Sequence, residues 1–88
     1  MRWPKLKPRP IVEDERSRAI YIAIIEAGRP LTARELLDAT GTNDGRLYPN
    51  YLQPLVHNGI LADSERDGDV TYDLTARGFK HARAVALS

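Results

Sequence analysis

The sequence of 88 residues contains no cysteine, which excludes disulfide bonds and thiolate metal sites and is compatible with a reducing cytosol. It has no apolar run near the roughly 20 residues that a membrane-spanning helix needs. The basic amino end is interrupted by Pro4, Pro8 and Pro10, and no apolar stretch follows it, so it lacks the form of a secretion signal. We therefore expect a cytoplasmic protein without a membrane partner.

Groups of residues that would indicate catalysis are also lacking. None of the three serines has a base partner in evidence, and no glycine-rich phosphate loop is present. His57 and His81 lie on different predicted elements, and no ligand spacing joins either to acidic residues. Asp67 and Asp69 resemble a fragment of a calcium loop, but the remaining ligands are missing. We expect no enzymatic activity, no cofactor and no metal.

The net charge of +1 is unevenly distributed along the chain. Residues 1–10 hold Arg2, Lys5, Lys7 and Arg9 and no acid, whereas the remaining 78 residues hold nine basic and 12 acidic residues. We interpret residues 1–10 as a basic, proline-rich arm and 11–88 as one domain. Such an arm occurs in nucleic-acid binders, where it tracks phosphates or lies in a minor groove. A disordered, solubilising terminus is the alternative interpretation.

Residues 12–27 are predicted to form the first helix, with three acids in its first turn and Gly28 as its stop. The stretch 19–25 is apolar all round, which indicates burial on more than one side. In so short a chain, a homodimer interface formed by helices 20–27 and 76–87 would bury the second apolar side of the first helix. Alternatively, the amino-terminal segment or the last helix of the same chain would bury it.

The second and third helices are predicted on either side of Gly41. Thr32 and Glu35 form a capping box that begins a helix over 32–39, and Leu31 before it is predicted as a short strand. A third helix is predicted over 43–58. The interior Pro54 should bend this helix or loosen its hydrogen-bond ladder. Its predicted core face is formed by Leu47 or Tyr48, with Tyr51, Leu52, Leu55 and Val56.

A hairpin and a last helix complete the chain. Residues 60–64 and 70–74 are predicted to be strands, and the turn over 65–69 contains the hairpin signal Asp67-Gly68. Thr75 caps a last helix over 76–87. Apolar residues at helical spacing predict its core positions, which are Phe79, Ala82, Val85 and Ala86.

Three motifs in this order resemble those of winged helix-turn-helix transcriptional regulators. They are LTARELL at 31–37, YLQPLVHNGIL at 51–61 and YDLTARG at 72–78. They are similar to segments of ArsR-like, MarR-like and archaeal single-domain regulators. GRLYP at 45–49 is similar to the PadR-like G-x-L-Y-P signature, although the spacing from there to Gly59 is one residue longer. The resemblance implies an α+β fold, a winged helix-turn-helix with a three-helix core, a two-stranded β-hairpin wing and a C-terminal helix.

The resemblance further implies a regulator that binds double-stranded DNA, with a homodimer as the expected assembly. In the family, outward side chains of the third helix read base edges in the major groove. The corresponding positions, together with the other predicted contacts, are Asn43, Asp44, Arg46, Tyr48, Asn50 and Gln53 on the third helix, Arg34 on the second, Arg66 in the wing, and Arg2, Lys5, Lys7 and Arg9 in the arm.

The predicted wing departs from the family pattern, because residues 65–69 hold three acids and one base. These acids would repel phosphate, which shifts the electrostatic attraction to the arm, Arg34 and Arg46. A protein-protein interaction module that kept the fold without DNA binding is therefore the alternative function. A solvated polar face, which any surface helix needs, is the alternative interpretation of the predicted base-reading residues.

Overall fold

The computed structural model describes residues 13–41 and 45–86, in which helices pack against an antiparallel sheet in an α+β arrangement. Its helices are α1 (Glu15–Ala27), α2 (Ala33–Thr40), α3 (Gln53–His57) and α4 (Ala76–Val85), and its strands are β1 (Leu31–Thr32), β2 (Leu61–Arg66) and β3 (Asp69–Leu74). A π-helical turn, Tyr48–Leu52, directly precedes α3. The predicted α+β class, the hairpin and the C-terminal helix are confirmed.

Helix α1 begins later than predicted because an acidic residue serves as its cap. The Asp14 carboxylate accepts hydrogen bonds from the backbone N–H groups of Arg16 and Ser17, each at 3.0 Å. The Ser17 hydroxyl in turn accepts the Asp14 N–H at 2.9 Å. These bonds satisfy amide groups that the first helical turn leaves unpaired. Of the three acids predicted in the first turn, only Glu15 lies there.

Helix α2 forms as the sequence predicts. The Thr32 hydroxyl accepts the Glu35 N–H at 3.2 Å, and the Glu35 carboxylate accepts the Thr32 N–H at 3.1 Å. Gly41 ends the helix in the left-handed conformation, with φ of 68°. Leu31 and Thr32 pair with Tyr72 and Thr71, so the predicted short strand at Leu31 is confirmed.

The three strands form an antiparallel sheet in the order β1-β3-β2. Asp67 and Gly68 alone make the turn between β2 and β3, with φ of 53° and 84°. Positive φ at both central residues is what a tight hairpin turn requires, and Asp-Gly is a favoured pair there. The turn predicted over 65–69 was therefore too long, since the strands reach Arg66 and Asp69.

The hydrophobic core lies between the sheet and the helices. Its largest fully buried side chains come from α1, α2, the π turn, α3 and the start of β2, and they are Ile20, Tyr21, Leu36, Leu52, Leu55 and Leu61. In α4 the buried positions are Gly78 and Ala82, whereas Phe79 is 46% exposed, so its predicted core position was wrong. None of the described helices has both the length and the apolar character needed to cross a membrane.

The start of α4 is hydrogen-bonded to the start of the hairpin. The Thr75 hydroxyl accepts the Gly78 N–H at 2.8 Å and donates to the carbonyl oxygen of Gly59 at 2.5 Å. The Thr75 N–H donates to the Ile60 carbonyl oxygen at 3.1 Å. Two of the three sequence motifs, those at 51–61 and 72–78, therefore meet in space.

Candidate nucleic-acid interface

The segment predicted as a single third helix consists of a π turn followed by α3. Leu47 and Leu52 are both buried, with 2% and 0% exposure. Two residues five apart point about 140° away from each other in an α-helix, since each residue turns the helix by about 100°. A π turn closes a hydrogen bond over five residues and places both side chains on one face. Burial of this leucine pair therefore favours the π geometry.

Pro54 accounts for the position of the π turn. Proline has no N–H to donate to the carbonyl of Asn50, four residues earlier, and its ring would clash with that carbonyl in a regular α-helix. The preceding amide, that of Gln53, bonds instead to the carbonyl of Tyr48, five residues earlier. The predicted loosening of the ladder is confirmed, and it takes the form of one wider turn.

This segment exposes three of the predicted base-reading side chains. Arg46, Tyr48 and Asn50 are exposed, and Tyr48 is 52% exposed. Gln53 is half-buried, whereas the prediction placed it on the exposed face. Asn43 and Asp44, also predicted as base readers, lie outside the described residues.

Tyr48 lies near the hairpin. Burial raises the pKa of the Tyr72 hydroxyl, and the neighbouring Tyr48 and Asp63 raise it further. Tyr72 and Asp63 are cross-strand partners in β3 and β2. Tyr48 is therefore close enough to this part of the hairpin to act on the Tyr72 hydroxyl.

Tyr51 links the π turn to the start of α1. Its hydroxyl donates to the Asp14 carboxylate at 2.6 Å, and the Arg16 guanidinium lies 5.6 Å from its ring centroid. Although desolvation acts in the opposite direction, the Tyr51 hydroxyl and the Ser17 and Arg16 amides lower the pKa of Asp14. The hydrogen bond to Asp14 raises the pKa of Tyr51. These contacts fix the orientation of the π turn relative to α1.

We expect Tyr51→Phe to destabilise the domain by about 1 kcal/mol at neutral pH, because it removes a partly exposed, charge-assisted hydrogen bond. Since this bond lowers the Asp14 pKa in the folded state, its contribution is present above the ordinary value of 3.8 and is lost as the pH falls through the lower folded value. Urea unfolding at several pH values measures this.

The matched control for this substitution is Tyr48→Phe, which removes a hydroxyl from an exposed ring. We expect it to change the free energy of unfolding by less than about 0.5 kcal/mol. A Tyr51→Phe deficit that stays constant from neutral pH to pH values well below 3.8 would contradict the linkage to Asp14.

Arg34 is an exposed residue in the first turn of α2. The neighbouring Glu35 is held by Arg29, whose guanidinium lies 2.6 Å from the Glu35 carboxylate. Hydrogen bonds from Arg29 and from the Thr32 amide lower the pKa of Glu35 to about 2. Because Arg29 is neutralised by this pair, Arg34 is the better placed of the two to contact a phosphate near the start of α2.

The hairpin is strongly acidic. Residues 61–74 contain five acidic residues and one basic residue, Arg66. Arg66 is exposed at the end of β2 and lies opposite Asp69 in the strand register. Arg66, which was predicted to contact DNA from the wing, therefore lies beside the turn. The acidic residues around it would repel phosphate.

A polar cluster that the sequence did not predict joins α1 to α4. Glu13 accepts a hydrogen bond from the Tyr21 hydroxyl at 3.0 Å and is hydrogen-bonded to the His81 ring. The His81 ring also packs edge-to-face on Tyr21, with 5.8 Å between ring centroids. Glu13 and His81 are far apart in sequence, so no local pattern could have paired them.

The remaining predicted contacts lie outside the structure's described part, because Arg2, Lys5, Lys7 and Arg9 belong to residues 1–12. Within residues 13–41 and 45–86, no group of three or more histidine, aspartate or glutamate side chains is arranged to hold a metal ion.

Comparison with known proteins leaves the family open. The chain matches no protein-family model, and no curated protein aligns with it significantly. A function must therefore be inferred from the geometry described above and from the sequence motifs.

Proposed function

We propose that this chain is a winged helix-turn-helix protein that binds double-stranded DNA and regulates transcription. The observation that carries the proposal is the exposure of Arg46, Tyr48 and Asn50 in the π turn and just before it. Fixed side chains on a rigid element are what base recognition needs. The order of helices and strands is consistent with the proposed fold, in which β2 and β3 are the wing.

The chemistry of these side chains suits the edges of base pairs in the major groove. Arginine pairs bidentately with guanine, and asparagine pairs bidentately with adenine. Tyr48 would contact a phosphate or a thymine methyl group. Arg34 would bind a phosphate at the start of α2, and the basic residues of the arm would add further phosphate contacts.

The acidic hairpin limits how much electrostatic attraction this surface can supply. Few phosphate contacts give a modest affinity that falls as salt rises. Two copies bound to adjacent half-sites, about 34 Å or one helical turn apart, would double the contacts. A homodimer is therefore part of the proposal.

Fluorescence anisotropy with a random-sequence duplex, at low and at moderate salt, tests DNA binding directly. Binding at low salt that weakens steeply with added salt supports the proposal. No binding at low salt would refute it. Selection of bound sequences from a random duplex pool then reports specificity and half-site spacing together.

We expect Asn50→Ala to weaken binding to a selected sequence by about 1 to 3 kcal/mol, or roughly 5- to 150-fold, because it removes a bidentate base contact. Binding to random duplex should change little. Arg34→Ala should instead weaken binding to all sequences and lower the salt slope by about one. The matched control, Arg83→Ala on α4, removes an exposed arginine outside the proposed interface.

A protein-protein interaction module is the second candidate function. The five acids against one base in residues 61–74 favour it, because such a hairpin repels DNA and attracts a basic protein surface. The anisotropy titration separates the two functions, since an interaction module would leave the duplex unbound at low salt.

A further inference from the structure

Strand β2 forms an open edge of the sheet. Among the residues that the structure describes, only β3 pairs with it, because the strand order is β1-β3-β2. The Ile60 carbonyl oxygen accepts the Thr75 N–H, so residues at even positions of this segment turn their backbone groups toward β3. Alternation along the strand turns the N–H and carbonyl groups of Asp63 and Glu65 to the outer edge. Both residues are exposed, so these groups are accessible to a further strand.

The outer edge of β2 carries acidic side chains on one face. Asp63 and Glu65 are two positions apart, so their side chains point to the same face of the sheet. Neither forms an ion pair within the described part of the chain. A second copy of β2, paired antiparallel about Ser64, would bring Asp63 opposite Glu65, and like charges directly opposite are destabilising. The edge is therefore suited to a basic strand and not to its own copy.

The amino-terminal arm has the residue pattern of such a strand. Proline cannot donate a backbone hydrogen bond, so an edge strand tolerates it where its nitrogen faces solvent. Pro4, Pro8 and Pro10 all occupy even positions, which share one edge in an extended chain. The odd positions between the first two prolines hold Lys5 and Lys7, whose N–H groups would share the other edge. An extended arm can therefore turn both lysines toward a sheet without losing a donor to proline.

We propose that the outer edge of β2 binds the arm of the same chain, which adds an antiparallel strand to the sheet. Lys7 pairs with Asp63 and Lys5 pairs with Glu65, so each acid faces a base across the two strands. Opposite charges directly across a sheet are stabilising, and each of these pairs also exchanges two backbone hydrogen bonds. The proposed contact belongs to the sheet edge and does not rest on DNA binding.

The point at which the arm joins the domain supports this direction. Glu13, the first described residue, is hydrogen-bonded to His81. His81 lies three residues beyond Gly78 in α4, and Gly78 is in close contact with Ile60, the residue before β2. Followed backwards from there, the chain runs from the start of β2 toward the hairpin turn. A six-residue connection spans up to about 20 Å when extended, about twice the length of strand between Ile60 and Asp63.

A docked arm would change the charge of the hairpin. Residues 61–74 hold five acids and one base, and pairing with Lys5 and Lys7 would offset two of those acids. Arg2 and Arg9 lie outside the paired segment and would remain available to phosphates. The pairing would therefore reduce the repulsion between the hairpin and a duplex.

Disulfide trapping tests the register, since the chain contains no cysteine of its own. In the proposed pairing, Leu6 lies opposite Ser64 with Cα atoms about 4.5 Å apart, within the range of a disulfide. We expect Leu6→Cys, Ser64→Cys to form an intramolecular disulfide at least about tenfold faster than Leu6→Cys, Arg83→Cys. Arg83 is exposed on α4 two residues from His81, so a freely moving arm would reach it as well. Equal rates, or linkage between two chains, would overturn the proposal.

Amide hydrogen exchange of the full chain, followed by NMR, tests the backbone hydrogen bonds. We expect the Asp63 and Glu65 amides to exchange about tenfold faster in Lys7→Pro than in the wild type, because this proline removes a donor that faces β2. The matched control, Leu6→Pro, removes a donor that faces solvent and should leave both rates unchanged. Lys7→Gln keeps the donor without the charge and should give intermediate rates. Exchange that responds equally to both prolines, or to neither, would overturn the proposal and leave the edge to a basic strand of another protein.

Discussion

Replacing Gly78 with alanine is expected to destabilise the domain by about 3 kcal/mol, at the upper end of the range for overpacked sites. A Cβ atom at this position would lie 1.9 Å from the Ile60 carbonyl oxygen and 2.8 Å from its carbon. Both neighbours are backbone atoms, so no side-chain rotation relieves the clash. Helix α4 would have to move away from the hairpin. This movement would separate Ala82 from the core and lengthen the hydrogen bond that the Thr75 N–H donates to the Ile60 carbonyl oxygen.

Thermal unfolding measures this effect, which corresponds to a melting temperature lower by roughly 12 to 24 °C in a domain of this size. The matched control is Gly45→Ala. A Cβ there meets nothing within 4 Å, and its φ lies outside the left-handed region. We expect the control to leave the melting temperature unchanged or slightly raised. A Gly78→Ala variant that melts with the wild type would contradict the close approach of α4 to Ile60.

The second large effect is expected from reversing two charges of the hairpin. The double variant Glu65→Lys, Asp69→Lys changes the charge next to the turn by +4 at two exposed positions. If the hairpin lies beside DNA as the proposed function requires, the two lysines should raise affinity for random duplex by about tenfold or more at low salt. They should also make the affinity fall more steeply with salt, by the amount expected for up to about two additional phosphate contacts.

Two controls distinguish the effect of placing charge in the hairpin from the effect of changing the overall charge of the protein. The neutral variant Glu65→Gln, Asp69→Asn should give an intermediate affinity, because it removes repulsion without adding contacts. Glu26→Lys, at an exposed position on α1 outside the proposed interface, should raise affinity less per unit of charge. Equal gains per charge at both locations would show that the hairpin does not approach the duplex.

Local chemistry made much of the fold predictable. The Thr32–Glu35 capping box and the Asp67-Gly68 turn depend on residues within three positions of each other, so the sequence is sufficient to identify them. The start of α1 was misplaced because three consecutive acids offer three possible caps. Only the folded structure shows Asp14 accepting the Arg16 and Ser17 amides.

Of the predicted apolar positions of α4, Ala82, Val85 and Ala86 pack on the core as predicted, and only Phe79 was wrong, because contact with the hairpin decides its position. Hydrophobicity favoured Phe79, but the close approach to Ile60 requires a residue without a side chain at that contact. Turning Gly78 toward the hairpin leaves Phe79 at the surface. A pattern of apolar residues cannot reveal a contact made by backbone atoms.

The exposed residues of the candidate interface could largely be predicted from the sequence. The orientation of the segment that carries them could not. Exposure of Arg46 and Asn50 follows from their polar side chains. The hydrogen bond of Tyr51 to Asp14 joins residues 37 positions apart, which no local pattern indicates. The half-burial of Gln53 also departs from the prediction, which assumed a continuous α-helical face.

The π turn also decides what a change in length would cost in this segment. Deleting one residue between Leu47 and Leu52 would leave these leucines four positions apart, a spacing that an ordinary α turn places on one face. The core would keep the same members, but Pro54 would then lie inside a regular α-helix, where its ring clashes with the carbonyl four residues earlier. The extra residue of the π turn therefore accommodates the proline while both leucines stay in the core.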